Sequence, residues 1–90
     1  MLNRKIKINN PSGLHMRPAG VFVHTSEPFK SSVDFDYLGC NYNGKSMIGV
    51  LSAAVKCGGE IHISVEGADE VVCMDALVAA IESGLGERRK

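Results

Sequence analysis

The chain has no excess of either charge, since ten Lys and Arg residues offset ten Asp and Glu residues over 90 positions. Such a balance projects no global field towards nucleic acid or an anionic membrane, so protein partners with local charge matching are expected. Aromatic residues make up only 6% of the chain, and no basic sheet face interleaves with them, which argues against a sheet-face nucleic-acid binder. No apolar run approaches the roughly 20 residues of a spanning helix, and Met1 is followed by charged residues rather than an apolar leader. The expectation is a soluble, cytoplasmic, monomeric protein without membrane insertion. Cysteine is sparse and odd in number: Cys40, Cys57 and Cys73 lack a C-x-x-C spacing, which argues for reduced, buried or inert thiols rather than a disulfide frame or zinc site. His24 and His62 have no acidic neighbours at ligand spacing and read as surface histidines, so no metal and no cofactor is expected. There is no repeat, low-complexity tract or linker. Residues 1–90 therefore read as one domain with a modest core and no interdomain cleft, and any chemistry must lie at the surface.

What is present is a clear change of period along the chain. Leu2, Ile6 and Ile8 alternate with Lys5 and Lys7 as in a half-buried strand, and Asn9-Asn10-Pro11-Ser12-Gly13 breaks it. From residue 16 the spacing is helical, with Ala19, Phe22 and Val23 on one face, and Pro28 ends the run. Val33, Phe35 and Tyr37 alternate with Asp34 and Asp36, then turn at Leu38-Gly39 into a short strand with Cys40 and Tyr42, an antiparallel hairpin. The two aspartates fall on the outer sheet face without a pocket, which disfavours acid–base work. Ser46 is a natural N-cap for a short apolar helix through about Ala54, with Gly58-Gly59 as its stop. Ile61, Ile63 and Val65 make a fourth strand. Asp69 is expected to cap the last helix, whose stripe is Met74, Leu77, Val78, Ile81 and Leu85, and the tail from Glu87 to Lys90 is expected to fray. The order β-α-β-β-α-β-α implies an α+β sandwich, a four-stranded sheet covered on one face.

The stretch that organises this order is Gly13-Leu14-His15-Met16-Arg17-Pro18-Ala19. His15 stands just before the first helical turn, so the amides of residues 16 and 17 point back towards its ring, and Pro18 falls where a missing N–H costs little. An anion on the imidazole would meet amide donors, the positive end of the helix dipole and the Arg17 guanidinium together. A free imidazole, with a reference pKa of about 6.5, is largely neutral at cell pH and nucleophilic without a dedicated base. The pattern suits a phosphoryl group. Alone, His-x-Arg-Pro also fits an exposed histidine capping a helix beside a solvated arginine.

This segment, followed by Gly44-Lys45-Ser46-Met47-Ile48-Gly49-Val50-Leu51 and later by Glu66-Gly67-Ala68-Asp69-Glu70, resembles the HPr family, the histidine-containing phosphocarriers of the bacterial sugar phosphotransferase system. The resemblance implies an open-faced β-sandwich with an antiparallel sheet in the order 1-4-2-3 and three helices on one face. It implies that His15 accepts a phosphoryl group on Nδ1 from phosphorylated Enzyme I, itself charged by phosphoenolpyruvate, and passes it to the A domains of sugar-specific enzyme II permeases. In that scheme the chain is a carrier and not an enzyme, Arg17 offsets the phosphate charge, and Ser46 is a regulatory target of an ATP-dependent serine kinase/phosphorylase. Met47, Ile48 and Leu51 would form the partner patch, extended beside His15 by Met16 and Gly20. The alternative is a regulatory binding module that acts through phosphorylated Ser46 on a catabolite-control transcription factor. Met16, Gly20, Pro28 and the cysteines depart from the usual family pattern without touching His15, Arg17 or Ser46.

Overall fold

Each apolar period becomes the expected element in the computed structural model, which describes residues 1–87. Alternation gives strands β1 (Leu2–Lys7), β2 (Ser32–Tyr37), β3 (Cys40–Asn43) and β4 (Glu60–Glu66). The 3.6-residue period gives helices α1 (Met16–Ser26), α2 (Met47–Ala53) and α3 (Glu70–Glu82). The sheet order is β1-β4-β2-β3, antiparallel throughout, as the resemblance implied.

Register sorts the side chains. Ile63 stands opposite Phe35, and Val65 opposite Val33, so the inward rows of β4 and β2 merge into one apolar surface under the helices. Phe22 of α1 meets Phe35 edge-on at 5.8 Å between ring centroids, and Phe35 stacks on Tyr42 at 5.5 Å. Aromatic pairs in these orientations add about 0.5–1.5 kcal/mol beyond area burial. From α3, Cys73, Met74, Leu77, Val78 and Ile81 complete the core. The uncovered face is polar: His62 stands between Lys5 and Asp36, and Asn41 donates to the carboxylates of Asp36 at 2.8 Å and Asp34 at 3.3 Å.

Four expectations are corrected. Helix α2 ends at Ala53, close to the expected Ala54, but Gly58-Gly59 is not its stop. It stops because Ala54 turns left-handed, φ 51°, and its amide folds back to the Leu51 carbonyl. Asp69 occupies the N-cap position of α3 without making a side-chain cap. Its carboxylate accepts from the amides of Lys30 at 2.8 Å and Ser31 at 2.9 Å and from the Ser31 hydroxyl, donors that the loop after Pro28 leaves without strand or helix partners. Glu70, the first residue of α3, accepts from the Gly67 amide at 3.2 Å, ahead of the helix. Of the three thiols only Cys73 is buried, while Cys40 at the hairpin turn and Cys57 in the loop after α2 are exposed. Glu87 is not frayed, as shown below, and residues 88–90 of the expected tail lie outside the described residues. No helix among the described residues is long and apolar enough to cross a membrane.

These carboxylates make stability depend on acid. Hydrogen bonds from the Ser31 hydroxyl and the Lys30 amide hold Asp69 below the usual carboxylate range, and the Gly67 amide and then the N-terminal ammonium do the same for Glu70. Groups with depressed folded-state values bind fewer protons folded than unfolded, so their stabilisation is full above the ordinary carboxylate range and is lost as pH falls through the depressed values. The expected outcome is that Asp69→Asn lowers the melting temperature near pH 7 and flattens its decline between about pH 5 and 2. Thermal melts across that range check it, and native and variant curves that stay parallel would contradict it.

Candidate functional site

The loop that ends in His15 is fastened to the segment after α2. The Ile8 amide donates to the Gly59 carbonyl at 2.8 Å, the Gly58 amide to the Ile8 carbonyl at 2.6 Å, and the Leu14 amide to the Val55 carbonyl at 2.8 Å. Gly13 makes this seam possible. At φ 62° it sits so close that an added Cβ would lie 2.2 Å from the Val55 oxygen, which no L side chain tolerates. The next residue, Leu14, is buried at 2% exposure, and three residues beyond His15, Pro18 and Ala19 are buried again. His15 is thus held out of the core between two anchors, and its own side chain is exposed.

His15 is the N-cap residue of α1, with extended backbone (φ −80°, ψ −174°), and its ring makes no side-chain cap hydrogen bond. Its carbonyl accepts from the Ala19 amide at 2.8 Å. Pro18 has no amide hydrogen, so the first-turn donors left for an anion are those of residues 16 and 17, which have no intrahelical carbonyl to bind. No acidic residue stands in the first turn of α1 to offset the positive helix end. Arg17 is exposed beside it and makes no contact ion pair among the described residues.

An open cavity of about 570 Å³ lies beside the ring, with Leu14, Met16, Leu51 and Val55 among its apolar lining and Cys57 at its edge. Met16 is 69% exposed. Of the predicted patch, the structure therefore brings Met16 and Leu51 to His15. Gly20, one turn further along α1, is half-buried and does not line the cavity. Met47 is half-buried against the core, and Ile48 points outward from α2 at 79% exposure. Ser46 caps α2 as expected, accepting from the Gly49 amide at 3.2 Å. It stands at the opposite end of α2 from Leu51, a helix of 7 residues, about 10 Å long. His24 is exposed and lies 3.7 Å from Glu27, apart from this site. Among the described residues no group of three or more His, Cys, Asp or Glu could hold a metal ion.

The family model described as the PTS HPr component phosphorylation site matches residues 2–83. The chain belongs to the HPr family, the phosphocarriers of the phosphotransferase system. It is 35% identical over 82 residues to the HPr-like protein Crh of Halalkalibacterium halodurans, covering 91% of this chain and 98% of that one. It is 34% identical over 77 residues to the phosphocarrier protein HPr of Treponema pallidum, covering 86% and 88%. Among solved structures, HPr of Thermoanaerobacter tengcongensis superposes with a TM-score of 0.95 at 39% identity, covering 99% and 100%.

One neighbour of the site escaped the sequence reading. The carboxylate of Glu87 is bound by Asn10 and Ser12 in the His15 loop. The available signal was Leu85 between Gly84 and Gly86, an apolar residue that returns to the core after α3 and brings Glu87 back to the fold.

The two glycines on either side of His15 are expected to behave in opposite ways. Gly13→Ala should destabilise by about 1–3 kcal/mol and speed hydrogen exchange at the Leu14 amide, since strain and the lost seam act together. Gly20→Ala, with nothing within 4 Å of the new methyl group, should stabilise α1 by about 0.5–1 kcal/mol. Denaturant titration of both variants checks this, and a tolerated Gly13→Ala would contradict the seam.

Proposed function

We propose that this HPr-family chain carries a phosphoryl group on His15, taken from phosphorylated Enzyme I and given to the A domains of sugar-specific enzyme II permeases. The observation that supports this reading most is the exposed His15 ring, free of a capping bond, at the mouth of a helix whose first turn carries Arg17 and no acid. In the transfer a lone pair on one ring nitrogen, Nδ1 in this reading, attacks phosphorus in line with the donor nitrogen. The N–P bond to His15 forms as the donor's N–P bond breaks, and the donor imidazole leaves with the electron pair. The other ring nitrogen keeps its hydrogen, so no base is required. The chain contributes positioning and charge neutralisation, which are the main requirements of phosphoryl transfer. The amides of residues 16 and 17, the helix dipole and Arg17 receive the three oxygens, while solvent exposure keeps their hold weak enough for release.

The apolar wall formed by Met16 and Leu51 gives a partner a surface to dry against the histidine, and Ile48 widens it. Ser46 supplies control in this reading. A phosphate at the start of α2 is favoured by the helix dipole, so it acts through added charge beside the docking surface rather than by unfolding. A purely regulatory module working through Ser46 would have no need of the presented His15, and that favours the carrier.

His15→Ala is expected to abolish acid-labile labelling from phosphoenolpyruvate and Enzyme I, and undiminished label in this variant would refute the assignment. Arg17→Ala should remain folded and transfer more slowly. Ser46→Asp is expected to slow phosphorylation of His15 with little change in melting temperature, and an unchanged rate would count against control by charge at this position.

A further inference from the structure

Two exposed residues other than glycine are held in the left-handed region, Leu38 at φ 52° and Ala54 at φ 51°. An L side chain in that region crowds the following carbonyl oxygen, a strain that glycine escapes. Leu85, at φ 51°, is strained in the same way but is fully buried, so its packing in the core offsets the strain. Exposed residues have no such compensation. Leu38 lies with Gly39, φ 84°, in the tight turn between β2 and β3, and it does not line the cavity beside His15.

Ala54 stands in a different setting. It is the C-cap of α2, where its amide donates to the Leu51 carbonyl at 3.1 Å, and the next residue is the buried Val55, whose carbonyl accepts from the Leu14 amide. The backbone needs a left-handed turn here, because this turn ends the helix and begins the seam that fixes His15. It does not need a side chain. Glycine is the residue that favours a left-handed helix end, so alanine keeps the turn and adds one methyl group against the strain.

That methyl group has a place in the site. Ala54 lines the open cavity beside His15 together with Met16, Leu51 and Val55. In-line transfer brings the donor nitrogen within bonding reach of the imidazole, so a partner that charges His15 must cover the surface next to it. Ala54 is then enclosed by the partner.

We propose that Ala54 is a specificity-determining residue for the carrier reaction: its methyl group completes the apolar wall against which Enzyme I docks, and the left-handed strain is retained for that contact. The inference rests on the carrier reading given above. Alanine has no group that could hold a proton or a phosphate, so its contribution falls on the binding of the protein partner and not on the chemical step. Stability and docking therefore respond in opposite directions when the methyl group is removed. A residue that served only the fold would move both the same way.

The test compares native, Ala54→Gly and Leu38→Gly chains as acceptors from Enzyme I and phosphoenolpyruvate, with KM and kcat read from label on His15 and the folding constant from denaturant titration. Relief of strain, set against the greater chain entropy of glycine, is expected to raise the folding constant about two- to fivefold in both variants. Burial of one methyl group corresponds to about a three- to fivefold change in affinity. Ala54→Gly is expected to raise KM by that factor with kcat unchanged, whereas Leu38→Gly leaves both at their native values. Hydrogen exchange at the Leu14 amide should be no faster in Ala54→Gly than in the native chain, because the seam to Val55 stays closed. An unchanged KM for Enzyme I would overturn the inference, whether or not an A domain discriminates between the chains. So would a loss confined to kcat, an equal rise of KM in Leu38→Gly, or a rise in Ala54→Gly accompanied by faster Leu14 exchange or a lower folding constant. Each of these leaves the carrier reading intact. A native chain that takes no label on His15 would overturn the carrier reading itself, and the inference with it.

Discussion

The site depends on a single alternation of burial, in which Leu14 is locked into the core while His15, one residue on, is held outside it. The Leu14 side chain supplies the apolar anchor, and its amide bond to Val55 fixes the backbone against the segment leaving α2. Pro18 and Ala19 repeat the anchor on the far side. An exposed side chain normally spends its freedom on many rotamers and backbone states. Here the backbone part of that freedom is removed before any partner arrives, so the imidazole is presented in a fixed direction with its surface unburied.

Such a frame suits a group that must be acquired and then surrendered. A deep pocket with a contact ion pair would bind a phosphate tightly, and the same interactions would then oppose its departure. The helix mouth instead offers two amides, a dipole and a solvated guanidinium, all of which are strong enough to orient a dianion and are screened by water. The apolar surface beside the ring can close on a partner, exclude that water and strengthen the same charges only while the two proteins are together. Helix α2 joins this surface to the Ser46 cap, because Leu51 near its end borders the cavity beside His15 while Ser46 caps its start.

Much of this was legible in the chain. The shift from a two-residue to a helical period located every element, and Gly13 to Ala19 marked the histidine's setting, because both depend on residues adjacent in sequence. What was not legible depends on which distant segments meet. Asp69 reads as a helix cap by position, yet the amides of Lys30 and Ser31 compete for its carboxylate and win. Glu87 reads as part of a charged tail, yet Leu85 plugs the core and returns it to Asn10 and Ser12. The exposure of Cys40 and Cys57 likewise follows from turns whose orientation no local pattern fixes.

The central claim is that a phosphoryl group on His15 is received by the first-turn amides of α1. Amide proton and nitrogen resonances of the uniformly nitrogen-15-labelled chain, recorded before and after phosphorylation by Enzyme I and phosphoenolpyruvate, test it most directly. The account predicts that the amides of Met16 and Arg17 move downfield together, as donors to a new anion, while the sheet resonances stay in place. Phosphorylation that leaves those two amides unmoved would contradict it.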